Sequence, residues 1–482
     1  GEHMESVAII GMGTSGMAVA AAYEKEAKKG TYSIDCYDRE DSFGKGYPYR
    51  TDTKDLILNL KTRKISYNYQ DNDDLAHWLE DQKQSIPVYT PRTVFGEYTK
   101  SRLMDTLNSI GANIIQQQVA ALDYDAATKE WHLTTEKGEK RTYQRVHLCC
   151  GEISQKNPYQ LKGQPKVIHK VYPMAEKLRG ITSDHRVCII GAGLTAVDIA
   201  THLIKNSKAK KIHMFSNTNV VPTVRVEPVD ITVSVLTLER VQAEIEKGGG
   251  SMSFEVFDEL FTQELREQGI HYESFLAKHM VGGIEGLKTN IQEPDDLAIV
   301  QALLPPLNVV FNLIWNAMPE ASRESFILKY HPFMCLNRSP VPMESAELMI
   351  EAAERGQLDF LQGVDHVSSD EKALIHLQDG SSMSVDVIIN GTGLDPSLKD
   401  IHLENPLLAS LLDKRILQRD RWGGITTRFE DMAVISPRYG TLENLHAYGI
   451  LVTGIQYRNN STLIIQMTAH NLLKNLSKRV YA

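Results

Sequence analysis

The chain has 482 residues, of which 42% are hydrophobic and 23% charged, and carries a formal net charge of -9. That length suggests two or three domains, and the composition is that of a soluble globular protein, with no uninterrupted apolar stretch expected to span a bilayer and no secretory leader. The negative balance argues against a nucleic-acid partner, because phosphate neutralisation needs a clustered basic surface.

Gly1-Glu2-His3 reads as a scar of tag removal, with the natural start at Met4. The apolar run Val7-Ala8-Ile9-Ile10 then leads into Gly11-Met12-Gly13-Thr14-Ser15-Gly16, an expected helix from Gly16 to Lys29, and a second strand from Tyr32 to Asp38. A strand turning this tightly into a helix leaves backbone N–H groups at the positive end of the helix dipole, where a pyrophosphate binds. The glycines allow the turn, the approach of phosphate and close helix–strand packing. Asp38 stands about 22 residues after the last glycine, where an acid hydrogen-bonds ribose hydroxyls. Arg39, beside it, joins the same group of candidate residues, and the bland alternative for Asp38 is a solvated turn.

Ser42 to Tyr49 is a glycine-rich loop with aromatics, followed by Leu56 to Leu60. Such a loop brings backbone close to a flat cofactor, or merely connects two elements. Gly46, Tyr47, Asn59, Leu60 and Thr62 are the candidates here, and Asn59, which offers both a donor and an acceptor, is the candidate catalytic residue. The acidic cluster Asp71 to Asp74 lacks the features of a calcium loop and reads as a solvated helix start. Leu75 to Gln82 and Phe95 to Asn108 are expected amphipathic helices. Strands are expected over Val119 to Asp125, Glu130 to Thr135 and Gln144 to Cys150, a small meander crossing back to the sheet, with Val119 and Gly151 as candidate cofactor contacts.

The glycine turn returns about 180 residues on, as Gly191-Ala192-Gly193-Leu194-Thr195-Ala196 after Val187 to Ile190. Gly191, Gly193, Leu194 and Thr195 are its candidate contacts, and two such turns suggest two dinucleotides with electrons passing between them. Here the second strand, Lys211 to Phe215, ends in Ser216-Asn217 without an acid. The missing acid removes repulsion against a 2′-phosphate and favours NADPH over NADH, with Ser216 as donor and Arg225 as phosphate partner. Pro222 to Met318 is expected to be a helical insertion bearing substrate specificity. Val385 to Ile389 ends in Asn390-Gly391-Thr392-Gly393, a second strand finishing in small residues, with Gly391, Thr392 and Gly393 as candidates. Near the C-terminus Gly454 follows Leu451-Val452-Thr453, and Ser461 or Thr462 caps a helix through Leu473. That helix start would face a flavin pyrimidine, or else is a capped surface helix.

Five cysteines (Cys36, Cys149, Cys150, Cys188 and Cys335) contain no C-x-x-C, which disfavours a dithiol reductase or a zinc ribbon, fits a reducing cytoplasm, and leaves each expected as a small buried hydrophobe. His77 and His446 are expected to be structural, and no metal site is expected.

With these residues assembled, the chain resembles the YdhS-like FAD/NAD(P)-binding family, a relative of flavin-containing and N-hydroxylating monooxygenases. The carriers are the two glycine turns through Asp198, together with Gly44-Lys45-Gly46-Tyr47, Leu58-Asn59-Leu60 and Pro91 to Tyr98. Asn390-Gly391-Thr392-Gly393 is similar to the crossover motif of class B flavin monooxygenases, and Gly163 through His169 to Tyr172-Pro173 to their interdomain linker, one residue off the common spacing. The resemblance implies an α/β protein of two Rossmann-like three-layer domains, the second inserted in the first, with a helical insertion. The expected boundaries are 4–175 and 385–482 for an FAD domain, 176–225 and 330–384 for an NAD(P)H domain, and 226–329 for the insertion. It further implies a cytoplasmic enzyme in which NADPH reduces FAD and molecular oxygen then hydroxylates a small nucleophilic substrate. Electron delivery without oxygen insertion, and a flavin-binding sensor, are the alternatives.

Overall fold

Strands without polar alternation need cover on both faces, and Val7–Ile10 and Val187–Ile190, each at most 5% exposed, are of that kind. The computed structural model describes residues 4–45, 58, 61–458 and 461–481, the side chains of 479–481 excepted. The described residues form two compact units, one made of 4–45, 61–154 and 394–481, the other of 58 and 155–393.

In the first unit Glu5–Ile10 lies between two parallel neighbours, Tyr32–Tyr37 and Arg145–Leu148. Asn113–Ile115 extends the sheet beyond Tyr32–Tyr37, while Gly440–Ala447 and then Ala433–Ser436 extend it at the other edge. Successive side chains of the central strand point to opposite faces. Val7 and Ile9 pack with helices Thr14–Glu26, Arg92–Ile110 and Thr462–Tyr481. Ala8 and Ile10 pack with Leu122, Trp131 and Leu133 of an antiparallel meander, Val119–Asp125, Glu130–Thr135 and Lys140–Tyr143. Each such large apolar side chain contributes roughly 1.5–3 kcal/mol by leaving water.

The second unit repeats this plan. Its parallel strands run Leu358–Phe360, Lys211–Phe215, Arg186–Ile190, Val387–Asn390, with Val167–Ile168 at the far edge. Val187 and Ile189 face helices Leu194–His202 and Met343–Glu354. Cys188 and Ile190 face a meander of Val364–Ser369, Ala373–Leu377 and Ser382–Val385. Both units therefore have three layers (helices, parallel sheet, meander), with the same strand order about the strand that precedes the glycine turn. Leu238–Lys247 through Glu320–Arg338 form the helical insertion, in which Thr237 and Ser253 cap their helices by accepting Arg240 and Val256 N–H groups.

Several expectations change. Val167–Ile168 and Val387–Asn390, assigned by sequence to the first domain, pair within the second unit's sheet, so the unit boundaries fall at 154 and 394. The insertion boundary at 329 cuts the helix Glu320–Arg338. The single strand expected over Gln144–Cys150 belongs to the sheet only from Arg145 to Leu148, because Lys140–Tyr143 pairs in the meander. Asp295–Ala317 is long and apolar enough to cross a membrane by length and composition, contrary to the expectation, although 61% of that window is buried inside the structure.

Polar side chains are also buried within the first sheet. His147 accepts and donates between the hydroxyls of Tyr23 and Tyr448, both at 2.8 Å. His446 bonds Arg145 at 2.6 Å and the Asp431 carbonyl at 2.9 Å. Burial holds both imidazoles neutral, His446 pushed down to about 3 and His147 well below its ordinary value.

Candidate functional site: two glycine cradles

The first cradle is built by backbone. Gly11 N–H donates to the Tyr37 carbonyl and Cys149 N–H to the Ile10 carbonyl, each at 2.8 Å, which fixes the strand tip between its two neighbours. Gly11 has φ +94°, and a Cβ on it would lie 2.6 Å from the Cys149 carbonyl oxygen. A Cβ on Gly16 would lie 2.0 Å from the Gly11 oxygen. Any side chain at either position would force the helix or the crossing strand away. Gly13 is the N-cap of helix Thr14–Glu26 and no side chain caps it, so the first-turn N–H groups are left for another acceptor.

Asp38 closes the turn. One carboxylate oxygen accepts the Met12 N–H at 2.7 Å, the other the Arg39 N–H at 2.8 Å. Burial pushes its carboxyl up to about 6, against the opposing pull of those two hydrogen bonds. Each oxygen retains a further lone pair for a hydroxyl donor. Arg39 reaches Glu152 and Ser42. Thr14 and Thr462 come together on one small hollow with Gln466. Ser461 caps the C-terminal helix, accepting Ile464 N–H at 3.3 Å. Gln466 anchors that helix by accepting Tyr69 N–H and donating to the Ser66 carbonyl.

Other candidates of this half are placed differently. Thr62 is buried, and its hydroxyl is engaged by the Pro87 carbonyl and the Thr90 hydroxyl, both at 2.7 Å. Val119 puts its side chain into the meander core. Gly151 is exposed with only Ile450 near a Cβ, at 3.8 Å; the close crossing is made by Cys149, two residues earlier. Gly454 is required by chain packing, since its Cβ would meet the Gly423 oxygen at 2.4 Å. Ser15 is buried, and Gly449 passes so close that a Cβ there would lie 2.6 Å from its Oγ. Gly46, Tyr47, Asn59 and Leu60 lie outside the described residues.

The second cradle repeats the two backbone bonds that fix the strand tip of the first. Gly191 N–H donates to the Phe215 carbonyl and Gly391 N–H to the Ile190 carbonyl, each at 2.8 Å. Gly191 has φ +121°, with a Cβ position 2.6 Å from the Gly391 oxygen, and a Cβ on Gly391 would lie 3.2 Å from Ala196 Cα. Gly193, the uncapped helix N-cap, has open space at its Cβ position. Above the turn lies a cleft of about 710 Å³. Its walls include Leu194, Thr195, Ser216, Asn217 and Thr392. Ser216 and Asn219 hold each other's backbone N–H groups, which leaves the Ser216 hydroxyl hydrogen to be donated. Gly393 has φ +87° and accepts the Lys156 N–H.

Three features escaped the sequence. Arg225 is not among the residues lining the cleft, its backbone N–H being tied to the Val341 carbonyl at 2.8 Å, and among the described residues Lys156 supplies the one charged side chain in the lining. Cys335, expected as a buried hydrophobe, is a half-buried wall of the same cleft, its Sγ 3.3 Å from His331 Nε2. Cys36, Cys149 and Cys188 are buried, and burial raises their thiols, while Cys150, pushed up to about 12, is half-buried in accessible area.

The family model described as FAD-NAD(P)-binding matches residues 8–153. Among solved structures, the chain is similar to the reduced form of an ornithine hydroxylase from Pseudomonas aeruginosa, at TM-score 0.57 and 14% identity, covering 99% of this chain and 100% of that one. L-lysine 6-monooxygenase from Pseudomonas syringae matches with the same values. An ornithine N-hydroxylase from Kutzneria sp. 744, whose structure carries reduced FAD, NADP+ and L-ornithine, matches at TM-score 0.56 and 13% identity over 99% of this chain and 100% of that one. At such identities these likenesses establish a shared fold of two Rossmann-like domains.

Proposed function

We propose that the chain is an FAD- and NADPH-dependent monooxygenase that hydroxylates a small nucleophilic substrate, an amine in the first instance. The observation that carries this reading is the duplicated cradle, two uncapped glycine turns each pressed against the end of a crossing strand. The family model and the fold shared with ornithine and lysine hydroxylases support it.

The residues of the first cradle fit FAD. The turn at Gly11–Gly16, whose shape a Cβ at Gly11 or Gly16 would destroy by clashing with the Cys149 or Gly11 carbonyl, would take the pyrophosphate, and Asp38 would accept the ribose hydroxyls. Thr14 and Thr462 share a hollow at two helix starts, where partial positive charge favours an anionic ring. The second cradle fits NADPH, with Gly191–Thr195 on the pyrophosphate and Ser216 donating toward the adenosine ribose or its phosphate. Bound FAD supplies hydride acceptance and oxygen activation. The chain would hold the two nucleotides by backbone N–H groups, and among the described residues no acid lines the second cleft, where a carboxylate would repel a 2′-phosphate.

The test couples NADPH oxidation to product. With FAD-loaded protein, oxygen and a panel of small amines, a substrate should yield hydroxylated product in near-unit ratio to NADPH consumed. NADPH consumption that returns only hydrogen peroxide with every amine and thiol offered contradicts the oxygen-inserting reading and leaves a plain oxidoreductase.

A further inference from the structure

We infer that the segment Lys156–Tyr159 is the outer wall of the second nucleotide cleft, in which Lys156 pairs with the dinucleotide pyrophosphate, Tyr159 stacks on the adenine, and Asn390 is the positioning residue that holds the wall in place. The inference rests on the dinucleotide reading of that cleft and names residues for it.

Among the described residues lining the cleft, Lys156 is the only charged one, so an anion there meets one cation and no carboxylate of those residues. Its backbone is fastened on both sides of its Cα. Lys156 N–H donates to the Gly393 carbonyl at 2.9 Å, and the Lys156 carbonyl accepts from Asn390 Nδ2 at 2.8 Å. Asn390 is 4% exposed and uses its other side-chain atom as well, Oδ1 accepting from the Thr392 N–H at 3.1 Å and hydroxyl at 2.5 Å. These bonds attach Lys156 on both sides of Gly391, whose oxygen abuts Gly191, the first residue of the phosphate turn. Lys156 is thus placed toward the pyrophosphate rather than toward Ser216. Tyr159 lies at the other end of the wall, 43% exposed, with its ring centroid 6.4 Å from that of Phe215. Phe215 immediately precedes Ser216, so the exposed ring stands where the adenosine half of the dinucleotide falls. A tyrosine face there offers stacking area at little conformational cost.

Calorimetric titration of FAD-loaded protein with NADP+ and with NAD+ tests this directly. Lys156→Ala should weaken both nucleotides alike, by about tenfold or more for one lost charge-assisted contact, and Lys156→Arg should restore affinity. Tyr159→Ala should weaken both, and Tyr159→Phe neither. Asn390→Asp, which can still accept from Thr392 but cannot donate to Lys156, should reproduce the Lys156→Ala loss. Unchanged affinity in Lys156→Ala, or a loss confined to NADP+ (which would set Lys156 on the 2′-phosphate), overturns the inference. Wild-type protein that takes up neither nucleotide overturns the dinucleotide reading itself.

Discussion

Asp38→Asn isolates the electrostatics of the first cradle. Asp38 has an ordinary carboxyl value of 3.8 that burial raises to about 6 in the fold. An acid raised in this way holds its proton longer when folded than when unfolded. Its ionised form therefore costs stability, and that cost grows as pH rises through 3.8 and levels off above 6. Shifting a carboxyl from 3.8 to about 6 is worth roughly 3 kcal/mol at pH 8 and roughly 1.6 kcal/mol at pH 5, before a discount for the water that reaches its partly exposed edge. Asparagine has no such titration. It also loses one of the two acceptors for the Met12 and Arg39 N–H groups, a pH-independent loss of about 1–3 kcal/mol. The stability of Asp38→Asn relative to wild type should consequently improve by about 1 to 1.5 kcal/mol between pH 5 and pH 8, whatever its offset. Urea unfolding of flavin-free protein at a series of pH values reads this difference, and separately the variant should retain less flavin through purification. Parallel stability curves for the two proteins across that range would refute the buried-carboxylate argument.

Gly193→Asp has room at its Cβ position, so the protein should fold, stay yellow and resist reduction by NADPH in an anaerobic spectrum. Gly11→Ala places a Cβ 2.6 Å from the Cys149 oxygen at φ +94°, so it should emerge colourless and at least about 2 kcal/mol less stable by urea unfolding. His446, neutral in the fold and pushed down to about 3, should charge once unfolded; its contribution is present above about pH 6.5 and lost as pH falls. Wild-type stability should drop by roughly 2 kcal/mol from this group between pH 7 and pH 5, a slope that His446→Gln removes. Cys335, on the wall of the second cleft, should react with N-ethylmaleimide at a rate that NADP+ slows at least severalfold, read by peptide mass; labelling indifferent to NADP+ contradicts the assignment of that cleft.

Both glycine turns were legible in the sequence because their chemistry is steric. A turn at φ +94° or +121° with a carbonyl 2.6 Å from the Cβ position admits only glycine, so the residue type reports the geometry. The strands beside them were legible as continuous apolar runs. What stayed hidden depends on distant partners. Nothing near Asp38 announces that it accepts the Met12 N–H, and nothing near Asn390 announces its bond to Lys156, 234 residues away. Asn113–Ile115 and Leu358–Phe360 are too short to show a period, and helix Glu320–Arg338 carries Pro332 in its interior, a residue that reads as a helix break. Arginine at 225 is a phosphate partner by residue type alone; its place in the fold leaves it out of the cleft lining.

Anaerobic titration of the purified protein with NADPH, followed by absorbance, tests the two-cradle account most directly. One FAD per chain should be retained through purification and bleach with a single equivalent of NADPH, while Gly193→Asp retains the flavin and does not bleach. A colourless chain that refuses FAD on reconstitution, or a yellow one whose reduction by NADPH survives Gly193→Asp, would contradict it.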